Sequence, residues 1–208
     1  MNGRMIVIDG MDGAGKGTQT RLLVAKLQQA GKQTLLTREP GGSPGAEEIR
    51  QLVTTGSPDR WDATTELLLM YAARRSHLVE AIWPAMRNGR WVVCDRFADS
   101  SRCFQGIAGG LGLEVVDQVH NLVVGSFKPD LTIILDIPAN VALDRAKSRG
   151  AGPDRFERKG LPFHQLVRQG FIDLAAADPA QHVLIDAQGS VDDVFAAISH
   201  AVHDRLGP

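Results

Sequence analysis

The sequence predicts an α/β fold: a parallel five-stranded sheet with helices on both faces. Three observations carry this. Short β-branched runs alternate with longer helical patterns along the 208 residues. Each run is nearly continuous in apolar residues, as suits a parallel strand covered on both sides. The first run also empties into a glycine-rich loop that opens a helix. In chain order the strands are RMIVID (4–9), QTLLT (33–37), WVVCD (91–95), LTIILD (131–136) and HVLID (182–186). Helical patterns fill the intervals 17–30, 44–54, 61–88 (broken near Pro84), 98–106, 113–126, 139–149, 161–177 and 190–206, with stops at Gly31, Gly89 and Gly150. There is no internal repeat, and the pattern reads as one domain over 1–208. The segment 148–162, SRGAGPDRFERKGLP, is its least apolar piece and predicts a short mobile lid.

Composition excludes several classes. Lys plus Arg number 23 against 24 Asp plus Glu, so no global charge draws the chain to nucleic acid or an anionic membrane. No apolar run approaches the roughly 18 residues that span a bilayer. Two cysteines, Cys94 and Cys103, build neither a disulfide framework nor a four-thiolate zinc site, and a cytoplasmic location is expected. The six histidines, His77 and His164 among them, have no metal-ligand spacing.

The loop after the first strand reads Gly10-Met11-Asp12-Gly13-Ala14-Gly15-Lys16-Gly17-Thr18. Its strand–loop–helix setting is that of a P-loop NTPase. Backbone N–H groups turn toward phosphate oxygens, the helix N-terminus adds positive partial charge, and Lys16 extends from the loop to the terminal phosphates. Ser or Thr usually follows the lysine to meet Mg2+. Here Gly17 stands there and Thr18 comes next, which weakens Thr18 as a direct metal ligand; the GKGT run resembles that of nucleoside monophosphate kinases of the adenylate kinase type, which implies contact with the metal through water.

A P-loop specifies the phosphoryl donor and leaves the acceptor open. Other motifs collect at the strand ends: Thr37-Arg38-Glu39-Pro40-Gly41-Gly42, Asp95-Arg96-Phe97, and Ser100-Ser101-Arg102-Cys103-Phe104-Gln105-Gly106. The long helix adds Tyr71-Ala72-Ala73-Arg74, and the lid Asp154-Arg155-Phe156-Glu157. Together these resemble the thymidylate kinase family over nearly the whole chain. Gly13 in place of an arginine, with Arg149, Arg155 and Arg158 in the lid, is similar to the bacterial subtype whose catalytic arginine comes from the lid.

The resemblance implies ATP-dependent phosphorylation of dTMP to dTDP, with Mg2+ as cofactor and a homodimer as the assembly. Asp9, Asp95 and Asp136 all end apolar strands, and only the resemblance singles out Asp95 as the metal carboxylate. It also implies Arg96 on the acceptor phosphate, where a guanidinium forks onto two oxygens. Asp12 would lie near the sugar 3′-hydroxyl and Arg38 near the acceptor phosphate. Met70 and Arg74 are four residues apart, hence within about 40° on one helical face. In the family that face carries a stacking phenylalanine and an arginine on a base carbonyl. Met70 replaces the ring, and an ordinary core methionine accounts for it equally well. Phe104 stands where tyrosine commonly crowds the sugar 2′ carbon, and Ser101 and Gln105 offer hydrogen bonds to the base or its waters. Two alternatives stay open: a related nucleoside monophosphate kinase with shifted base preference, and a weakly active nucleotide-binding regulatory module.

Overall fold

The structure is a computed structural model that describes residues 3–148 and 155–207. The strands are β1 (Met5–Gly10), β2 (Thr34–Arg38), β3 (Trp91–Asp95), β4 (Leu131–Asp136) and β5 (His182–Asp186). They form one parallel sheet in the order β2-β3-β1-β4-β5. The α-helices are α1 (Lys16–Gln29), α2 (Pro44–Thr54), α3 (Ala63–His77), α4 (Trp83–Arg87), α5 (Ala98–Ser101), α6 (Leu113–Val123), α7 (Ala139–Lys147), α8 (Leu161–Ala177) and α9 (Val191–Leu206).

The central strand shows why continuous apolar runs work here. Ile6 and Ile8 point into a core with α1, α8 and α9, while Met5 and Val7 point into a second core with α3 and α6. A two-residue period thus meets apolar partners on both faces. The outer strands differ from that expectation. β2 and β5 are edges, and Leu36 and Leu184 are each 43% exposed. The chain builds β2 and β3 on one side of β1 and then crosses over to β4 and β5 on the other, so the strand order reverses at β1. The crevice beyond its carboxyl end is therefore the natural ligand position of an open sheet.

Two helical expectations are refined. The pattern over 61–88 is three pieces: α3, a π turn at Leu78–Ile82, and α4. Pro84 has no N–H for the carbonyl four residues back, and the ladder widens just before it, with Trp83 N–H donating to Leu78 O. Similarly, α5 continues as a π turn at Arg102–Ile107, carrying the expected helix at 98–106. Gly31 and Gly89 end helices with φ of 76° and 77°, whereas Gly150 lies outside the described residues. Both cysteines are buried and unpaired with each other.

Candidate active site

A cavity of about 430 Å³ opens beyond the carboxyl end of β1. One wall is the loop between β1 and α1. Gly15 caps α1 in the left-handed region (φ 93°) with no side-chain hydrogen bond, and the first turn carries no acid. The positive end of the helix is thereby left to an external anion. Gly13 answers a question that the sequence raised. A Cβ there would lie 2.0 Å from Ala142 O of α7, so no arginine is accommodated without moving that helix. Gly17 is different, since a Cβ would meet Asp95 Oδ2 at 3.7 Å, an ordinary contact. Its departure from Ser or Thr is not enforced by space.

Lys16 is buried rather than displayed on an exposed loop. Its Nζ donates to Met11 O (2.7 Å) and stands 3.9 Å from Asp12 Oδ1. Burial and the nearby Arg96 cation pull its pKa down against the opposing pull of Asp12, Asp95 and Asp9.

The three strand-ending acids have separate fates. Asp9 is fully buried, accepting from Gly10 N–H and Ser100 Oγ and facing Arg96. Burial raises its pKa despite the cation. Asp136 is forked by Arg168 at 2.7 and 2.8 Å. Asp95 lines the cavity beside Gly17, and among the described residues no hydrogen bond reaches its carboxylate. Geometry therefore distinguishes the three where strand position did not.

On the opposite wall Arg96 is the only non-glycine among the described residues with φ in the left-handed region, at 72°. That turn sends its side chain back across the end of β1. Nη1 donates to Gly10 O (2.9 Å) and Ser100 Oγ (2.8 Å), and Nη2 to Asp12 Oδ1 (2.7 Å). Burial disfavours its charge, but Asp12, Asp9 and Asp95 outweigh burial and raise the pKa.

Arg74 is buried with Nε on Glu39 Oε2 (2.7 Å), Nη1 on Ser101 Oγ (3.1 Å) and Nη2 on Phe97 O (2.9 Å). Glu39 also faces His77 Nδ1 at 3.1 Å, and His77 Nε2 meets Thr37 Oγ1 at 2.7 Å. Burial alone would raise the Glu39 pKa, yet Arg74 and His77 hold it below its usual value. The glycines of TREPGG fit this arrangement, because a Cβ at Gly42 would fall 2.4 Å from both His77 Nε2 and Thr37 Oγ1. Met70 is half-buried, touching the core and lining the cavity. Phe104 lies under Arg96, with the guanidinium 5.1 Å from its ring centre. Ser101 and Gln105 line the same wall. Arg38 lines it too, half-exposed and paired with Glu47 at 3.0 Å.

Of the three lid arginines, Arg155 is placed otherwise than a cavity-facing catalytic group would be. Arg155 is fully buried and does not line the cavity. It pairs with Glu66 and donates to Val53 O (3.0 Å) and Pro58 O (2.7 Å). A buried carboxylate and orphan carbonyls near the end of α2 have claimed all three guanidinium nitrogens, so here Arg155 is an anchor. Arg158 is exposed and donates to Gly56 O. Arg149 lies outside the described residues.

Sequence reasoning passed over four cavity or supporting residues. Glu39 and His77 form the buried base beneath Arg74. Arg50, with Nη1 on Pro40 O at 2.7 Å, and Arg145, with Nη1 on Ala187 O at 3.1 Å, add cations to the two ends of the cavity. Glu39 was visible as the acid inside TREPGG, whereas the two arginines look like any surface helix residues.

A sequence profile of the family described as "Thymidylate kinase" matches residues 8–198. The chain is 51% identical to a thymidylate kinase of Dinoroseobacter shibae over 196 residues, 94% of each chain. It is 49% identical to one of Caulobacter vibrioides over 205 residues, covering 99% of this chain and 98% of that relative. The crystal structure of a thymidylate kinase from Ehrlichia chaffeensis superposes with a TM-score of 0.78 at 29% identity, covering 96% of this chain and 98% of that one.

Proposed function

The chain belongs to the thymidylate kinase family and phosphorylates dTMP with ATP as donor, and from that premise we propose how its single kinase domain divides the work. The ATP phosphates lie along residues 10–18, with Lys16 near the β and γ groups. The dTMP phosphate lies at Arg96, with Arg38 and Arg50 beside it. Asp12 stands near the sugar, and the base sits against Met70, Phe104 and Arg74. An oxygen of the dTMP phosphate attacks the γ-phosphorus, and the bond to the β–γ bridging oxygen breaks as its electron pair leaves with ADP. The chain's part is positioning and charge stabilisation.

One observation carries this reading. The donor-loop cation and the acceptor-wall cation converge on one acid, with Arg96 Nη2 2.7 Å and Lys16 Nζ 3.9 Å from Asp12 Oδ1. Between two such cations is where a transferring phosphoryl group gains most.

Asp95 would hold Mg2+, with Thr18 contributing through water. Among the described residues no group of three or more His, Cys, Asp or Glu is placed to cage a metal. A carboxylate that accepts no hydrogen bond from the described residues suits an ion that would keep several of its waters. When bound, Mg2+ neutralises charge on the β and γ phosphates. Asp95→Asn is expected to raise the Mg2+ concentration for half-maximal turnover at least about tenfold, with dTMP affinity unchanged. An unaltered Mg2+ response would remove Asp95 from this role.

A homodimer is supported by the apolar surface of α3 and α6. These helices are linked by Arg75 Nη1 on Val123 O at 3.0 Å. Leu68 of α3, Val79 of the π turn that continues it, and Val115 and Leu122 of α6 are exposed, Leu122 at 85%. Such a patch is costly on an isolated surface. Sedimentation of the wild type should give a dimer at micromolar concentration and of Leu122→Glu a monomer, whereas a wild-type monomer refutes the assembly. Among the described residues no helix is long and apolar enough to cross a membrane, which accords with a cytoplasmic enzyme.

A further inference from the structure

We infer that Glu66, which the proposal above leaves without a role, is a positioning residue. It sets the polarity of the Gln105 amide, and the pocket thereby rejects a base that carries an acceptor where thymine carries its N3–H. The inference rests on the placement of dTMP proposed above.

Glu66 lies on α3 one turn before Met70 and two before Arg74, on the same helical face. It is 2% exposed. Its Oε1 accepts from Gln105 Nε2 at 2.8 Å, and its Oε2 faces the Arg155 guanidinium, with Lys159 Nζ at 3.6 Å. A carboxylate set between two cations only accepts hydrogen bonds. The nitrogen of Gln105 is therefore the end that must face Glu66, and the oxygen is left for the other side. That oxygen is buried and has no hydrogen-bond partner among the described residues, although Gln105 lines the cavity beside Arg74 and Met70.

A buried acceptor without a donor is a demand that a ligand can meet. The N3–H of a thymine or uracil ring meets it. Cytosine offers a lone pair at that position, and two acceptors then face each other. Turning the amide over would relieve the clash in the pocket but bring Gln105 Oε1 against Glu66 Oε1. Glu66 thus blocks the escape route by which Gln105 would adapt to the wrong base. Sites built around a fixed hydrogen-bonding polarity discriminate far more strongly than sites that sense shape alone.

The test compares kcat/KM for dTMP and for 5-methyl-dCMP, which share shape and methyl group and differ at N3 and the C4 substituent. In Glu66→Gln the neighbouring amide can donate as well as accept, so Gln105 is free to turn. The preference for dTMP is expected to fall at least about tenfold, through relative gain on 5-methyl-dCMP, with KM for ATP unchanged. Because the single change leaves Arg155 buried without its partner, Glu66→Gln with Arg155→Met provides the same measurement without the orphaned cation. Gln105→Leu should also lower the preference. If it does while both Glu66 variants keep the wild-type ratio, Glu66 does not set the polarity and the inference falls. If Gln105→Leu keeps the ratio, Gln105 is not at the base edge and the inference falls with it. Failure of the wild type to phosphorylate dTMP would instead overturn the functional reading.

Discussion

Lys16→Met should lower kcat for dTMP phosphorylation by at least about 10²-fold, a barrier increase of roughly 2.7 kcal/mol or more, while dTMP binds as before. Methionine keeps most of the apolar stem and removes the ammonium. In the structure that ammonium is held by Met11 O and by the field of Asp12, Asp95 and Asp9, poised over the loop whose helix end is left uncapped. Its charge is worth most as negative charge redistributes between the γ-phosphate and the departing ADP, so the loss falls on kcat more than on ground-state affinity. Single-turnover kinetics with saturating ATP and dTMP measures this directly. Retention of more than about a tenth of the wild-type rate, a change under roughly 1.4 kcal/mol, contradicts the role.

Arg96→Gln should weaken dTMP about 10²-fold and leave ATP affinity within a few-fold. Each charge-assisted hydrogen bond to a phosphate is worth about 1.5–3 kcal/mol, and a guanidinium supplies two in one plane. The same variant withdraws the cation that faces Asp9 and Asp12, so part of any loss of activity could come through the fold. Arg96→Lys separates the two effects. It retains a positive charge for the acids but loses the fork, and should keep the thermal midpoint near wild type while still weakening dTMP about tenfold. Equal dTMP affinity in wild type, Arg96→Lys and Arg96→Gln would show that Arg96 serves the fold alone.

Much of the scaffold was legible because local pattern and final environment agree. Continuous apolar runs became buried strands where neighbours cover both faces, as at β1, β3 and β4. The same reading overstated β2 and β5, because a run of apolar residues does not reveal whether a strand ends up at an edge. The loop around Lys16 was legible through spacing, since cradling a phosphate demands glycines at particular turns. What remained illegible is which partner a charged side chain finds. Arg155 read as a catalytic arginine on its motif, and only the tertiary structure brings it to Glu66, 89 residues earlier. Asp9, Asp95 and Asp136 were equivalent by position, and what separates them is Ser100 and Arg96 on one and Arg168 on another. Arg50 and Arg145 carried no pattern, because a lone arginine on an amphipathic helix is usually solvated.

The account's central claim is that Lys16 serves the donor and Arg96 the acceptor, on opposite walls of one cavity. Calorimetric titration of dTMP and of a non-hydrolysable ATP analogue into wild type, Lys16→Met and Arg96→Lys tests it in one matrix. The account predicts dTMP affinity weakened about tenfold in Arg96→Lys alone, and ATP-analogue affinity unchanged in Arg96→Lys and lowered, if anywhere, only in Lys16→Met. If Lys16→Met weakens dTMP, or Arg96→Lys weakens the ATP analogue, by the larger factor, the division of the cavity is wrong.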